Sequence, residues 1–278
     1  MSNTAVHSVS VVIPVYSGSA TLQQVVNELS SFYSEQVTQG GNRYQVAEVI
    51  LVDDCGVDNS AKVIRELAKV DERVVPVWLT RNYGQHGATV AGMASSSHEW
   101  VVTMDEDGQH NPASIGALID TALLNESPLV YGRENNREPH GFFRNVTSKT
   151  VKQLALPLLT DNKNLKYFSS FRLMTGEVAR TVGAFAQHGA YLDIALSWIV
   201  RTSAVCDVSF RNELRPQSGY TTKKLISHFL RLVVSSGTRP LRLITALGLI
   251  SFTSGVVGAV VVTVGKYAAG YTSNGWAS

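Results

Sequence analysis

The sequence predicts an α/β protein built on a mostly parallel sheet, followed by a basic amphipathic stretch and an apolar membrane helix. Three observations lead there. From residue 9 to residue 104, short β-branched runs alternate with stretches of helical period, the pattern of a parallel sheet covered on both faces. Several of those runs end in polar or acidic residues, as strands do when their carboxyl ends line a crevice. Beyond residue 222, basic and apolar residues recur with no acid among them, and residues 243–264 carry no charge at all.

The chain of 278 residues is long enough for one large domain or a domain with an appendage. A net charge of +2 gives no global attraction to nucleic acid, and none is expected as a partner. Cys55 and Cys206 cannot make a disulfide framework and are not spaced as metal ligands. Cys55 reads as a small side chain filling a strand end. Residues 1–8 are polar and lack the basic and apolar regions of a secretory signal, so the N-terminal part is expected in the cytosol.

In order, residues 9–14 read as a strand closed by Pro14, and 20–33 as a helix with Leu22, Val25, Val26 and Leu29 at helical spacing. Residues 35–42, polar with two glycines, read as a loop. A second strand over 46–52, with Glu48 inside it, ends in Asp53 and Asp54. Ser60 is suited to cap a helix carrying Val63, Ile64 and Leu67. A third strand spans 74–79, and the turn at 82–87 enters a small-residue helix over 88–96. The fourth strand, 101–104, runs into Asp105, Glu106, Asp107, Gly108 and Gln109. A fifth strand at 129–132, a helical run at 146–159, a helix ending near Val200 and a last strand at 205–210 complete the domain.

The acids after the fourth strand organise the site. Side chains alternate along an extended chain, so Asp105 and Asp107 share a face and Glu106 points away. Two hard oxygen ligands suit Mg²⁺ or Mn²⁺, with substrate phosphates completing the shell. Gly108 lets the backbone turn closely. A solvated acidic loop is the bland alternative; the apolar strand before the acids and the matching pair Asp53–Asp54 speak against it. The strand ends at 14–16, 53–54 and 105–107 should converge on one crevice. Neither Gly-x-Gly-x-x-Gly after the first strand nor Gly-x-x-x-x-Gly-Lys-Ser/Thr is present, so phosphates must be met through a metal. The Asp pair on the second strand can accept hydrogen bonds from a ribose or a base. A nucleoside diphosphate linked to another group fits these residues.

The ordered set Val-Ser-Val-Val-Ile-Pro-Val-Tyr, Glu-Val-Ile-Leu-Val-Asp-Asp, Arg-Asn-Tyr-Gly and Met-Asp-Glu-Asp-Gly-Gln-His-Asn-Pro resembles the inverting glycosyltransferases of family 2, which have the GT-A fold. More narrowly, the chain resembles the polyprenyl-phosphate glycosyltransferases, such as dolichol-phosphate mannose synthase and its bacterial relatives. The resemblance covers nearly the whole chain. It implies that Pro14, Tyr16, Asp53, Asp54, Asp105 and Arg133 serve the nucleotide sugar, and that Asp105 and Asp107 hold Mg²⁺ or Mn²⁺. Asp107, Gln109 and Arg144 would carry the catalysis. Arg144, Ser148, Ser218 and Tyr220 would bind the acceptor phosphate, with arginine suited to planar recognition of phosphate. Arg137 reads equally well as a surface arginine, and His188 reads as an incidental loop histidine rather than a sugar contact.

The stretch from Tyr167 to Met174 resembles the family's Gly-Asp-Phe-Arg-Leu-Met with both Gly and Asp replaced, by Ser169 and Ser170. The Asp has been considered as a catalytic base, and Ser170 cannot act as one. That matters less if the nucleophile is a phosphate oxygen. Arg172 reads as a buried structural partner. At 211–220 the resemblance continues through Ser218 and Tyr220, while Arg211 or Arg215 must stand in for the family's arginine.

The implied activity is transfer of a sugar, with inversion, from a nucleoside-diphosphate sugar to undecaprenyl or dolichyl phosphate, supplying a lipid-linked sugar for the cell envelope. The alternatives are extension of a polysaccharide at a sugar hydroxyl, which needs a carboxylate base, and a non-catalytic scaffold of the same fold. The expected organisation is a cytosolic GT-A domain over 1–220 and a basic amphipathic segment over 221–242. A transmembrane helix follows over 243–265, with a tail at 266–278 cut short before a second span. Lys223, Lys224, Arg231, Arg239 and Arg242 lie on the N-terminal side of the span. By the positive-inside bias the catalytic domain then faces the cytoplasm from the inner or plasma membrane. Glycines and serines in the span suit packing against another membrane helix, and so a homo-oligomer formed there.

Overall fold

A computed structural model describes residues 5–134, 169–186, 191–211 and 239–268, with side chains over 244–267 in the last stretch. The chain divides into two units between Ser235 and Ser236.

The first unit is a mixed sheet with helices on both faces. Its strands are β1 (Val6–Val15), β2 (Gln36–Val37), β3 (Arg43–Asp53), β4 (Val74–Trp78), β5 (Trp100–Thr103), β6 (Leu129–Glu134), β7 (Arg172–Thr175) and β8 (Ala204–Val208). Its helices are α1 (Leu22–Ser30), α2 (Ser60–Val70), α3 (Gln85–Ala94), α4 (Ile115–Leu124), α5 (Gly176–Phe185) and α6 (Leu192–Ile199). The order across the sheet is β2-β3-β1-β5-β7-β6-β8, and β4 pairs with the carboxyl half of β3. Strands β4, β3, β1 and β5 are parallel, as expected. Strand β7 runs antiparallel between β5 and β6, and β8 is parallel to β6.

Alternation along the central strands builds two cores. On β1, Val9, Val11, Ile13 and Val15 face one side, where they meet Leu22, Val25, Val26 and Leu29 of α1, Ile64 and Leu67 of α2, and Ile115, Leu118 and Ile119 of α4. Val12, with Ile50, Val52 and Val101, faces the other side and packs on Ala88 and Met93 of α3, Val178 and Val182 of α5, and Leu196 of α6. Near-continuous Val, Ile and Leu in β1 and β3 follow from this coverage of both faces. Helix α3 needs its small residues: a Cβ on Gly92 would stand 2.4 Å from Val12 Cγ1 and 2.8 Å from Val52 Cγ2.

Glu48, the charge inside β3, is buried beside a bulge. The register passes from Val9↔Val46 to Ser10↔Glu48, skipping Ala47. The carboxylate accepts from Ser10 Oγ at 2.6 Å, Ser97 N at 2.8 Å and Ser97 Oγ at 3.0 Å, which satisfies it without a cation. Several elements differ from expectation. Helix α1 is shorter than 20–33, the 35–42 loop contains β2, and α4, α5 and β7 have no counterpart in the sequence reading. Ser60 is the first residue of α2, with Asn59 at the cap, and its hydroxyl bonds Asp58.

The second unit contains α7 (Arg239–Ala268). Within it, Ile244–Tyr267 is 24 residues long with a mean hydropathy of 2.1, long and apolar enough to cross a membrane. Its Leu247, Leu249, Ile250, Phe252, Val257 and Val261 side chains are exposed within this unit, as a lipid-facing helix requires.

Candidate active site

The parallel register brings the expected strand ends together. Val15 pairs with Asp53, the Asp54 amide donates to Val15 O at 2.8 Å, and the Met104 amide donates to Val12 O at 3.0 Å. The loops after β1, β3, β4 and β5 therefore meet at one end of the sheet, where parallel α/β sheets bind ligands.

Carboxylates tie these loops to one another through backbone amides. Strand β5 ends at Thr103 and the chain turns at Glu106 and Asp107, so the alternation expected of an extended chain does not carry through these acids, and Glu106 is bound by the loop after β1. It accepts from the amides of Tyr16 at 2.9 Å and Ser17 at 3.0 Å, while its carbonyl accepts from Thr21 Oγ1 at 2.7 Å. Burial pushes its carboxyl upward against the pull of the Ser17 and Tyr16 amides. Gly18 gives it room, since a Cβ there would stand 2.6 Å from Glu106 Oε2. Asp54 accepts from the amides of Tyr83 at 2.6 Å and Gly84 at 2.8 Å, and its carboxyl is raised by burial against those two donors. Gly84, at φ 80°, then starts α3. Asp58 accepts from the Ser19 and Ser60 amides and Ser60 Oγ. Burial raises its carboxyl, but these hydrogen bonds win and hold it well below the usual carboxylate range. Gly56 lies against the Tyr16 carbonyl, where a Cβ would come within 2.3 Å.

Asp105 and Asp107 stand on the β5 loop, with Gly108 at φ 73° between Asp107 and Gln109. Asp105 Oδ1 accepts from Gln85 Nε2 at 2.7 Å and Oδ2 accepts from Ser170 Oγ at 2.6 Å. Its amide donates to His110 Nδ1 at 2.9 Å. His110 is buried, stacked on Phe171 and edge-on to Phe210, and desolvation lowers its pKa below the ordinary value. It is therefore a neutral imidazole with its acceptor nitrogen on the loop. Asp107 Oδ1 accepts from the Gln109 amide at 3.0 Å, and among the described residues its other oxygen has no protein partner. The group is two carboxylates rather than a protein cage: no cluster of three or more His, Cys, Asp or Glu suited to a metal occurs among the described residues. Hard oxygens with one uncommitted position fit a divalent cation that takes the rest of its shell from substrate phosphate.

Of the expected nucleotide residues, Pro14 is buried in β1 and Tyr16 is 42% exposed at the rim. Asp53 is buried, and its Oδ1 has no hydrogen-bond partner. Arg133 pairs with Asp207 across β6 and β8, with Nε–Oδ1 at 2.5 Å and Nη2–Oδ2 at 2.8 Å, so the forked edge of its guanidinium is engaged by protein. Arg172 is buried, as expected, and pairs with Asp193 at 2.7 Å; the Tyr131 hydroxyl donates to the same carboxylate oxygen. The expected Arg144, Ser148, Ser218 and Tyr220, with Arg137 and His188, lie outside the described residues.

Sequence reasoning also missed a fastening after β8. His110 forms a bridge with Phe210, and the Arg211 amide donates to Gln109 O at 3.0 Å. Arg211 Nη1 reaches Glu28 at 2.7 Å and Nη2 reaches Asn111 Oδ1 at 3.3 Å.

Residues 10–185 match the family model for glycosyl transferase family 2. The undecaprenyl-phosphate 4-deoxy-4-formamido-L-arabinose transferase of Proteus mirabilis is 29% identical over 260 residues, 93% of this chain and 77% of that protein. The protein of the same name from Pseudomonas paraeruginosa is 30% identical over 241 residues, 86% of this chain and 68% of that one. Among solved structures, mannosyl-3-phosphoglycerate synthase from Rubrobacter xylanophilus superposes with a TM-score of 0.59 at 15% identity, over 86% of this chain and 75% of that one. Glucosyl-3-phosphoglycerate synthase from Mycobacterium tuberculosis, solved with Mn²⁺, UDP and glucosyl-3-phosphoglycerate, gives 0.52 at 19% identity, over 84% and 80% of the two chains. These structures share the GT-A-type fold.

Proposed function

Because the chain belongs to glycosyl transferase family 2, we propose that it transfers one sugar, with inversion, from a nucleoside-diphosphate sugar to a polyprenyl phosphate at a membrane surface. The names of its relatives support the lipid acceptor. The observation that carries the chemistry is how the carboxylates are used. Asp54, Asp58 and Glu106 are spent on backbone amides, Asp105 accepts from two side chains, and Ser170 donates to Asp105 instead of offering a base. The two carboxylates here with an uncommitted oxygen, Asp53 and Asp107, are assigned to the nucleotide and the cation, and the position of the family's Asp is held by Ser170, which disfavours polysaccharide extension. A phosphate monoester arrives with its oxygen already anionic.

In the proposed reaction that oxygen attacks the anomeric carbon from the face opposite the diphosphate. The new carbon–oxygen bond forms as the bond to the diphosphate breaks, and the nucleoside diphosphate leaves with the electron pair. Buried Asp53 Oδ1, lacking a protein donor, is suited to accept from a base N–H or a ribose hydroxyl. Tyr16, held through its amide by Glu106, closes the rim beside it. Asp105 and Asp107 would hold Mg²⁺ or Mn²⁺, which when bound neutralises charge on the diphosphate. Arg144, Ser148, Ser218 and Tyr220 are assigned to the lipid phosphate, and α7 to the bilayer, with the catalytic unit on the cytoplasmic side.

The test is direct. Membranes containing the full chain are incubated with a panel of radiolabelled nucleotide sugars and the lipids are extracted. One sugar should enter the organic phase, dependent on added polyprenyl phosphate and released by mild acid. Label appearing only in polysaccharide would overturn the assignment.

A further inference from the structure

We propose that Ser170 and Gln85 form a two-sided brace on the Asp105 carboxylate, which makes Ser170 a positioning residue for the divalent cation. This rests on the assignment of Asp105 and Asp107 to a cation.

The brace follows from the way β7 enters the sheet. In the antiparallel pair β5–β7, Thr103 lies opposite Arg172, so extending the register sets residue 170 opposite residue 105. Thr103 Oγ1 donates to Ser170 O at 2.6 Å, which pins the main chain of Ser170 at that point. The Ser170 hydroxyl then donates to Asp105 Oδ2 at 2.6 Å. From the opposite element, Gln85 in the first turn of α3 donates to Oδ1 at 2.7 Å. That turn is itself held, because the preceding Gly84 amide donates to Asp54. The third tie is the Asp105 amide on buried His110. Asp105 is thus fixed at both carboxylate oxygens and at its nitrogen by three separate pieces of chain.

Both side-chain donors are neutral. They orient the carboxylate without cancelling its charge, as a cationic partner would, and leave lone pairs on each oxygen for a metal. An aspartate at position 170 would instead set a second negative charge against Asp105 and could not donate to it. Serine and glutamine aim the Asp105 carboxylate in a single direction before the cation arrives.

The experiment titrates Mn²⁺ into the detergent-solubilised full chain in the presence of UDP, followed by electron paramagnetic resonance of free Mn²⁺. Ser170→Ala and Gln85→Ala should each weaken Mn²⁺ binding by about tenfold or more, the usual range for partners behind a metal ligand. Ser170→Thr, which keeps the hydroxyl, should stay within about threefold of the wild type. Melting of the metal-free protein identifies any variant that fails to fold; if Ser170→Ala does, Ser170→Thr and Gln85→Ala decide. Wild-type Mn²⁺ affinity in folded Ser170→Ala overturns the brace while leaving the cation assignment intact. A wild-type protein that takes up no Mn²⁺ with UDP overturns both.

Discussion

The pair Arg172–Asp193 lies directly behind the site and offers a sharp test of how this fold tolerates charge. The two side chains are 4% and 3% exposed, 2.7 Å apart. Arg172→Met keeps much of the volume and removes the cation, so Asp193 retains the Tyr131 hydroxyl and its own backbone amide. Removing one partner of a buried pair typically costs about 3–5 kcal/mol, because the other charge stays buried. For a domain near two hundred residues that corresponds to a fall of about 10 °C in melting temperature. The deficit should depend on pH. Burial already raises the Asp193 carboxyl, with Arg172 the main opposing influence. A carboxyl whose folded pKa lies above its unfolded value binds its proton more tightly in the folded state, so its contribution to stability falls as pH rises through that window. Without Arg172 the folded value climbs further, and the window widens upward. Arg172→Met should therefore lose most at neutral and alkaline pH and recover as the solution is acidified and Asp193 takes up a proton. Melting of the detergent-solubilised full chain across that range is the assay, with Arg172→Met/Asp193→Asn as the control that removes both charges and should regain more than half the loss. A variant that melts within about 2 °C of the wild type at neutral pH, or whose deficit grows in acid, would refute the reasoning.

Three further outcomes are expected. Asp107→Asn should lower transfer by orders of magnitude with the metal-free melt almost unchanged; EDTA should mimic it, and added Mg²⁺ or Mn²⁺ should reverse EDTA but not the substitution. Gly56→Ala drives a methyl toward the Tyr16 carbonyl, 2.3 Å away on the present backbone. At about 1–3 kcal/mol for such overpacking, affinity for the free nucleotide measured by calorimetry should fall by about tenfold. Arg144→Ala should raise KM for polyprenyl phosphate and leave affinity for the free nucleotide in place; equal loss of both would move Arg144 to the donor.

The central strands were legible because burial on both faces forces continuous Val, Ile and Leu, a signal that survives without any partner in view. Convergence of the acid-bearing strand ends followed from parallel order alone. Strand β7 escaped because its first residue is an arginine, and a charge in a strand is excused only by Asp193, 21 positions away. Helices α4 and α5 were passed over; α5 in particular opens on Gly176 and carries Gly183 against Ala94, weak helix formers chosen for close packing. In the site, acids at strand ends look alike in sequence whether they face a ligand or a neighbouring loop. Asp54 and Glu106 turn out to hold amides, and no local pattern distinguishes that from binding. Ser170 reads as the loss of a base, and only the register between β5 and β7 reveals what its hydroxyl does.

The carboxylate-to-amide ties bear on how this chain can change over generations. A contact between two side chains can be repaired from either end. Arg133 and Asp207, both 45% exposed, can exchange places and keep their bond, so drift at one is answerable at the other. The amides of Tyr16, Ser17, Tyr83 and Gly84 belong to the main chain and are the same whatever residue is encoded there. Once Glu106 or Asp54 is lost, no second-site codon change supplies a replacement acceptor from the other side. A suppressor screen begun from Glu106→Ala should return mostly reversion to Glu106, whereas one begun from Asp207→Arg should recover changes at Arg133.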